Sequence, residues 1–322
     1  VEYLSWDVRQ MEDGKCVVAV ARSTGEQLWE VWAGQGPGNG TEIALHQLSS
    51  HQEQLAGVTF GKQEPFFWTA SDGLKLDGIL IRPPEATEQQ HPLPMVVLVH
   101  GGPYGRWGRH IHLHALNWGQ WLALSGYVVL MPNPRGGFGR GEQFAAAARG
   151  AVGLDDYQDV MAAVDAAIER GIADPERLAI GGWSQGGFMS AWAVTQTRRF
   201  KAAIMGAGVS DWGMMVMTSD VPDFELELGE TAPWDGEGQR KHLDLSPITF
   251  ARNVKTPVLI LHGENDARVP LSQATGFHRA LRRQGVPVEF VAYPREPHGI
   301  AERAHQLDIL KRVRSWCDRW LR

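Results

Sequence analysis

Ser184 is the residue whose surroundings first indicate a chemical reaction. It lies in the run Gly-Gly-Trp-Ser-Gln-Gly-Gly at 181–187, between a short apolar segment at 178–180 and an amphipathic stretch typical of a helix. A Gly-x-Ser-x-Gly run between a strand and a helix holds its serine in a sharp, strained turn with the hydroxyl exposed as a nucleophile. Gly182 and Gly186 fit this turn, because side chains there would collide as strand and helix close. Taken alone, the pattern also fits a glycine-rich loop whose serine caps a helix.

A nucleophilic serine needs a base to accept its proton and an acid to orient that base. Asp266 and His298 follow Ser184 in the chain, and each comes after a predicted buried strand, at 257–261 and 288–293. They would therefore leave the carboxyl edge of an α/β sheet, where such folds place their chemistry. Ser, Asp, His is also the order found in α/β-hydrolases. Asp266 could instead cap a helix and His298 could be an ordinary loop histidine, but the order and setting of all three predict a catalytic triad.

Acyl transfer creates a negative oxygen, which requires hydrogen-bond donors held in place beforehand. The backbone N–H of Gln185, the residue after the nucleophile, is the first expected donor. The second should come from the loop after an early strand, and an apolar run ends here in His-Gly-Gly-Pro at 100–103. We predict the N–H of Gly102, since glycine lets the backbone approach the substrate and the following proline has no N–H. The alternative is a simple tight turn. His100 is expected to be a structural residue beneath the loop.

Strands and helices alternate from about residue 66 onward, which is typical of a parallel sheet. Predicted strands lie at 75–81, 95–100, 127–131, 178–182, 202–205, 257–261 and 288–293, and predicted helices at 112–124, 155–170, 185–196, 272–284 and 301–321. The first 60 residues alternate in the manner of exposed β-hairpins, with a glycine-rich loop at 34–40. The predicted fold class is α/β: an α/β-hydrolase fold with a mostly parallel central sheet at 61–322, preceded by a short N-terminal β-hairpin segment at 1–60.

Composition restricts the function. With 322 residues and a net charge of −6, the chain has no basic footprint for nucleic acid. It has no apolar run of membrane-spanning length and no hydrophobic signal region near Val1. Cys16 and Cys317 lie at opposite ends, so neither a disulfide framework nor a metal site is predicted, and a cytoplasmic location is expected. His110, His112 and His114 have no Glu-x-x-His partner, and no cofactor is predicted.

From about residue 60 to the C-terminus, the chain resembles the catalytic domain of the prolyl oligopeptidase family of serine peptidases, and most of all its acylaminoacyl-peptidase branch. The shared motifs include His-Gly-Gly-Pro, Gly-Trp-Ser-Gln-Gly-Gly, and the runs at 133–139, 246–247, 262–270 and 296–299. The resemblance implies the roles predicted above for Ser184, Asp266, His298, Gly102 and Gln185. It further implies that Arg268 holds a substrate carbonyl. It also implies that Trp212 and Met215 form the apolar wall of a specificity pocket; the alternative for both is ordinary core packing.

The chain departs from the family pattern in two ways. Gln185 replaces the tyrosine common after the nucleophile, although its backbone N–H is retained. Family members also carry a large β-propeller before the hydrolase domain. The 60 residues that precede the catalytic region here resemble only the closing strands of a propeller and a linker. Because the propeller screens substrates by size, the substrate range is left open.

The leading hypothesis is a serine hydrolase that acts through an acyl-enzyme on short or N-acylated peptides with a hydrophobic residue. A carboxylesterase on short acyl esters is the alternative within the same chemistry, and a catalytically inactive hydrolase-fold binding module is the alternative outside it. The expected partner is a small peptide or ester, with neither nucleic acid nor membrane. Trp29 and Trp32 in the N-terminal hairpins suggest an apolar surface that packs either on the hydrolase domain or on a second subunit as a homo-oligomer.

Overall fold

Two β-sheets organise the chain in the computed structural model, which describes residues 2–38, 43–55, 57–85 and 92–322. The N-terminal sheet is antiparallel, with four strands in the order of the chain. These are β1 (Glu2–Gln10), β2 (Lys15–Ser23), β3 (Glu30–Pro37) and β4 (His46–Gln47), followed by a 3₁₀ turn at Glu53–Leu55.

The second sheet has eight strands, and five of its seven pairings are parallel. Its strands are β5 (Lys62–Thr69), β6 (Lys75–Arg82), β7 (Leu93–Val99), β8 (Val128–Asn133), β9 (Ala173–Trp183), β10 (Ala202–Gly206), β11 (Val258–Gly263) and β12 (Val288–Tyr293). The spatial order is β12-β11-β10-β9-β7-β8-β6-β5. All residues of β8, β10 and β11 are buried, which explains why most residues of these strands are apolar.

Nine α-helices connect the strands in the described part of the chain. They are α1 (Gly119–Ala123), α2 (Glu142–Ala146), α3 (Asp155–Glu169), α4 (Gln185–Gln196), α5 (Trp212–Thr218), α6 (Pro222–Gly229), α7 (Gly238–Asp244), α8 (Ser272–Arg283) and α9 (Arg303–Leu321), with a 3₁₀ helix at Pro247–Asn253. Helices α3, α4 and α8 contribute to one apolar core, and α1 and α9 contribute to a second. The mostly parallel sheet with its helical layers is an α/β-hydrolase fold, as the sequence predicts.

Two predicted elements are wrong. The helix predicted at 112–124 is helical only at Gly119–Ala123. The residues before it follow tertiary packing instead of a helical period: the indoles of Trp107 and Trp118 are buried and donate to the carbonyls of Leu98 and Ala115 at 3.0 and 2.9 Å.

The glycine-rich loop predicted at 34–40 is a strand as far as Pro37, and residues 39 and 40 lie outside the described part. A Cβ on Gly34 would lie 2.2 Å from the carbonyl oxygen of Ala44, and one on Gly36 would lie 2.7 Å from Ile43. These glycines therefore allow another segment to pack closely against a strand. Glycine is needed here for close packing and not for a loop.

Trp29 directly precedes β3, and its ring lies 5.0 Å from that of His110 in the segment between β7 and α1. Trp29 and Trp32 are both partly buried, whereas Leu4 and Trp6 on β1 are 73% and 72% exposed. The domain boundary predicted near residue 60 falls between the two sheets and stays a prediction. No α-helix in the described part of the chain is both long and apolar enough to cross a membrane.

Candidate active site

Ser184 occupies the turn between β9 and α4, as its glycine pattern predicts. Its backbone has φ 60° and ψ −119°, in the region of positive φ that non-glycine residues rarely adopt. The turn is held by the N–H of Ser184, which donates to the carbonyl of Gly206 at 2.8 Å. A strained residue that its surroundings hold in place is typical of a functional site.

The glycines around Ser184 allow three backbone segments to meet. A Cβ on Gly182 would lie 2.4 Å from the carbonyl oxygen of Val99, and one on Gly186 would lie 2.1 Å from the same oxygen. A Cβ on Gly187 would lie 2.3 Å from the carbonyl oxygen of Gly206. The ends of β7 and β10 therefore clamp the turn on both sides, and larger residues would force it open.

Asp266 and His298 lie together at the same edge of the sheet. His298 Nδ1 lies 2.7 Å from Oδ2 of Asp266, whose side chain is fully buried. The other carboxylate oxygen of Asp266 accepts the N–H of Val269 at 2.9 Å. The loops that carry the two residues are joined by a bond of 2.9 Å from the N–H of Asn265 to the carbonyl of Glu296. The aspartate is thus fixed, and it fixes one side of the imidazole.

A second histidine, His262, lies close to the same carboxylate and was not singled out from the sequence. Its Nε2 is 2.7 Å from the carbonyl oxygen of Val269 and 3.5 Å from Oδ2 of Asp266. Burial lowers the pKa of His262, so this side chain is neutral at pH 7. The carboxylate of Asp266 therefore faces no positive charge on His262. The spacing of four residues between His262 and Asp266 is the only signal in the sequence.

Gly102 and Gln185 line the same cavity as Ser184 and His298. Within the described part of the chain, neither backbone N–H has a hydrogen-bond acceptor. Gly102 has φ +131°, and a Cβ there would lie 2.3 Å from the nitrogen of Tyr104, so the loop requires glycine. These two N–H groups are therefore available to a ligand bound beside Ser184.

His100 lies beneath this loop and outside the cavity. Its side chain is buried, and its Nδ1 lies 2.9 Å from the carbonyl oxygen of Gly101. Loss of hydration lowers the pKa of His100 to about 4, so the ring is neutral at pH 7 and Nδ1 is the donor. The structure agrees with a supporting role for this residue.

A cavity of about 430 Å³ opens beside Ser184. Trp212 and Met215 are among its lining residues and also pack in the core, so their role in a specificity pocket stays a prediction. The rest of the apolar wall is formed by Val209, Val221, Phe224, Leu228 and Val269, and no sequence pattern singles out Val221, Phe224 or Leu228. Helices α5 and α6 are only seven and eight residues long, too short for a periodic pattern to identify them.

The segment that carries Trp212 is held by two side chains far along the chain. The N–H of Trp212 donates to Oγ of Ser246 at 2.8 Å. The buried Gln273 accepts the N–H of both Ser210 and Asp211 through Oε1, each at 2.8 Å. Neither contact has a sequence signal, because each partner lies more than 30 residues away.

Arg268 lies at the polar side of the cavity, where its Nε donates to Oδ1 of Asp220 at 2.6 Å. Both side chains are about half exposed. The guanidinium group is thus oriented by a carboxylate and still reaches the cavity.

The fold and the serine turn define the class as an α/β-hydrolase. A profile of the prolyl oligopeptidase family matches residues 116–322. The chain therefore belongs to the prolyl oligopeptidase family, as the sequence predicts.

Relatives and solved structures agree with this assignment. YuxL, an uncharacterized peptidase of Bacillus subtilis (strain 168), is 37% identical over 301 residues, which cover 88% of this chain and 44% of YuxL. The acylaminoacyl peptidase of Pyrococcus horikoshii is 29% identical, with a TM-score of 0.86 over 99% of this chain and 49% of that one. An acylaminoacyl peptidase in complex with Z-Gly-Gly-Phe-chloromethyl ketone has the same TM-score of 0.86, 29% identity, and coverage of 99% and 49%. The chain spans less than half the length of these three proteins.

We predict that Gly186→Ala destabilises the protein. The added methyl group would lie 2.1 Å from the carbonyl oxygen of Val99, so the turn that carries Ser184 must shift. The expected loss is about 3 kcal/mol in the free energy of unfolding, measured by chemical denaturation.

Gly276→Ala is the matched control, since Gly276 lies inside α8 with open space at its Cβ position. It should raise the free energy of unfolding by about 0.5–1 kcal/mol. Equal effects of the two substitutions on the free energy of unfolding would contradict the close approach of Gly186 to Val99.

We also predict acid sensitivity from His100. Its pKa is about 4 when folded, against 6.5 for the free side chain, so the unfolded chain binds the extra proton between these values. The contribution of His100 to the free energy of unfolding is therefore fully present above pH 6.5, and it is lost as the pH is lowered to 4. Between pH 7 and pH 4.5, the free energy of unfolding should fall by about 2–3 kcal/mol less in His100→Asn than in the wild type.

Denaturation curves at a series of pH values would measure this difference. The same change at the exposed His46 serves as the control and should leave the wild-type pH dependence intact. An unchanged pH dependence in His100→Asn would refute the prediction.

Proposed function

We propose that the protein is a serine peptidase that acts through an acyl-enzyme, with Ser184 as nucleophile, His298 as base and Asp266 as the acid that orients the base. The observation that carries the proposal is the 2.7 Å contact of His298 Nδ1 with the buried Asp266, at a cavity that the strained Ser184 also lines. No structural need brings Ser184, His298 and Asp266 to one end of the sheet, because each belongs to a different loop.

The proposed reaction follows from this geometry. With Nδ1–H held by Asp266, the free Nε2 of His298 accepts the proton of Ser184 while the hydroxyl oxygen attacks the substrate carbonyl. The backbone N–H groups of Gly102 and Gln185 stabilise the negative oxygen that forms. His298 then transfers the proton to the leaving amine, and water releases the acyl group by the same steps.

The cavity supports a substrate with a hydrophobic residue before the bond that is cleaved. Its wall includes Trp212, Met215 and Phe224, and its volume of about 430 Å³ is ample for an aromatic side chain. The inhibitor in the similar acylaminoacyl peptidase carries phenylalanine next to its reactive group. Arg268, oriented by Asp220, is the proposed donor to a second substrate carbonyl. Short or N-acylated peptides fit this arrangement.

A carboxylesterase on short acyl esters is the second candidate. An ester has a better leaving group than an amide, so it depends less on proton transfer from His298. The same cavity and the same three residues would serve both reactions. An inactive binding module is less consistent with the structure, because the strained serine, the buried acid and the oriented imidazole are all in place.

The cellular location that we propose is the cytoplasm. Cys16 and Cys317 are both free thiols, and Cys317 is buried, which suits a reducing compartment. Self-association through the surface around the partly buried Trp29 and Trp32 stays a hypothesis.

Replacement of Ser184 by alanine should abolish activity. We expect cleavage of p-nitrophenyl acetate to fall by at least about 10⁴-fold, together with loss of labelling by a fluorophosphonate probe. The matched control is Ser125→Ala, which removes a hydroxyl bonded to the carbonyl of Trp121, and neither residue lines the cavity. It should retain activity and labelling.

The same assays separate the candidate functions. Cleavage of an acetyl-phenylalanine anilide in addition to the ester supports the peptidase, and cleavage of the ester alone supports the esterase. A folded wild-type protein that cleaves neither substrate and does not react with the fluorophosphonate probe would support the inactive binding module. Undiminished turnover by Ser184→Ala would overturn the mechanism.

The cavity wall can be tested with Met215→Ala. Loss of apolar contact should lower kcat/KM about tenfold for the acetyl-phenylalanine anilide relative to the acetyl-alanine anilide. Met189→Ala is the control, since Met189 is buried in the same core without lining the cavity. Met189→Ala should reduce stability but leave the ratio of the kcat/KM values for the two anilides unchanged. A changed ratio in this variant would contradict the assignment of the cavity wall.

A further inference from the structure

His298 lies on the loop between β12 and α9, and Glu296 closes the base of that loop. The buried carboxylate of Glu296 accepts the N–H groups of Ala301 and Glu302 at 2.6 and 2.8 Å, and it lies 2.6 Å from Nδ1 of His305. Glu302 is in turn paired with Arg295 at 2.9 Å. These carboxylates are therefore engaged in fastening the two ends of the loop.

The centre of the loop is held by a different residue. The indole Nε1–H of Trp183 donates to the backbone carbonyl of His298 at 2.8 Å. Trp183 ends β9 and immediately precedes Ser184. Trp183 is 8% exposed, and its ring lies against β10, where a Cβ on Gly206 would be 2.3 Å from the ring. The indole is thus a fixed donor, and its bond joins segments 115 residues apart.

The orientation of an imidazole depends on both of its ends. Asp266 holds the ring through Nδ1, but the position of the ring relative to Ser184 also depends on the backbone from which it projects. Within the described part of the chain, the bond from Trp183 is the one hydrogen bond made by the backbone carbonyl of His298. Trp183 therefore ties the backbone of the proposed nucleophile to the backbone of the proposed base.

We propose that Trp183 is a positioning residue that sets the distance between Ser184 and His298 through this hydrogen bond. The proposal rests on the proposed function for the roles of these two residues. Trp183 itself does not line the cavity, so it acts through His298 and not on the substrate. Proton transfer is sensitive to small changes in geometry, and loss of the bond should slow the chemical step more than it weakens binding.

A test must remove the N–H and keep the ring. Replacement of Trp183 by β-(3-benzothienyl)alanine exchanges the N–H for sulfur at nearly the same shape, and Trp183→Phe is the simpler second variant. We expect kcat for p-nitrophenyl acetate to fall about tenfold in both, with KM changed less than twofold. A purely packing role would leave the benzothienyl variant with wild-type kcat.

Trp121→Phe is the matched control. The indole of Trp121 also donates to a backbone carbonyl at 2.8 Å, that of Leu310, and it joins α1 to α9 away from the cavity. Loss of this bond should lower the thermal midpoint by a similar amount to Trp183→Phe and leave kcat within twofold of the wild type.

A readout independent of turnover separates this inference from the proposed function. The Nδ1–H proton of His298 should give a low-field proton NMR signal, identified by its loss in His298→Gln. We expect the signal to broaden or shift in both Trp183 variants and to stay unchanged in Trp121→Phe. If the wild type cleaves no substrate, the proposed function fails, and the NMR signal still decides the role of Trp183. Wild-type kcat or an unchanged signal in the benzothienyl variant would overturn the inference.

Discussion

The close approach of three backbone segments at Ser184 is the constraint on which the site depends. The carbonyl oxygen of Val99 at the end of β7 leaves no room for a Cβ on either Gly182 or Gly186. The N–H of Ser184 is bonded to the end of β10 at the same time. Held from both sides, the serine keeps a positive φ that it would not adopt in a free chain. The strain is local, and the surrounding sheet sustains it.

The order of the strands brings the other groups to the same place. Strands β7, β9, β10, β11 and β12 are parallel neighbours, so their carboxyl ends form one edge. Gly102, Ser184, Asp266 and His298 each follow one of these ends. The loops are then connected by a few specific bonds, of which the 2.8 Å bond from Trp183 to His298 joins the segments of the proposed nucleophile and the proposed base most directly. A rigid edge with short cross-links is well suited to hold a reactive geometry.

Local patterns predicted much of the fold, and they failed where distant contacts decide. The helix Gln185–Gln196 and the strand Val288–Tyr293 have the bounds that the sequence predicts. The long buried strands were also found, since both faces of a parallel strand are apolar. The predicted helix at 112–124 was mostly wrong because the buried Trp107 and Trp118 impose an irregular path. The glycines at 34 and 36 predict a loop, but in the structure they allow another segment to pack closely against a strand.

The sequence by itself determined the class of fold, the family and the residues proposed for the reaction, because glycine spacing and strand ends are local properties. It did not determine the shape of the cavity, whose wall includes residues on α6 that have no recognisable pattern. Nor did it show that His262 lies beside Asp266 as a neutral ring, or that Trp183 bonds to His298. These are contacts between segments whose positions depend on the whole sheet. Only the tertiary structure could decide them, because no local pattern records which distant group a buried side chain will meet.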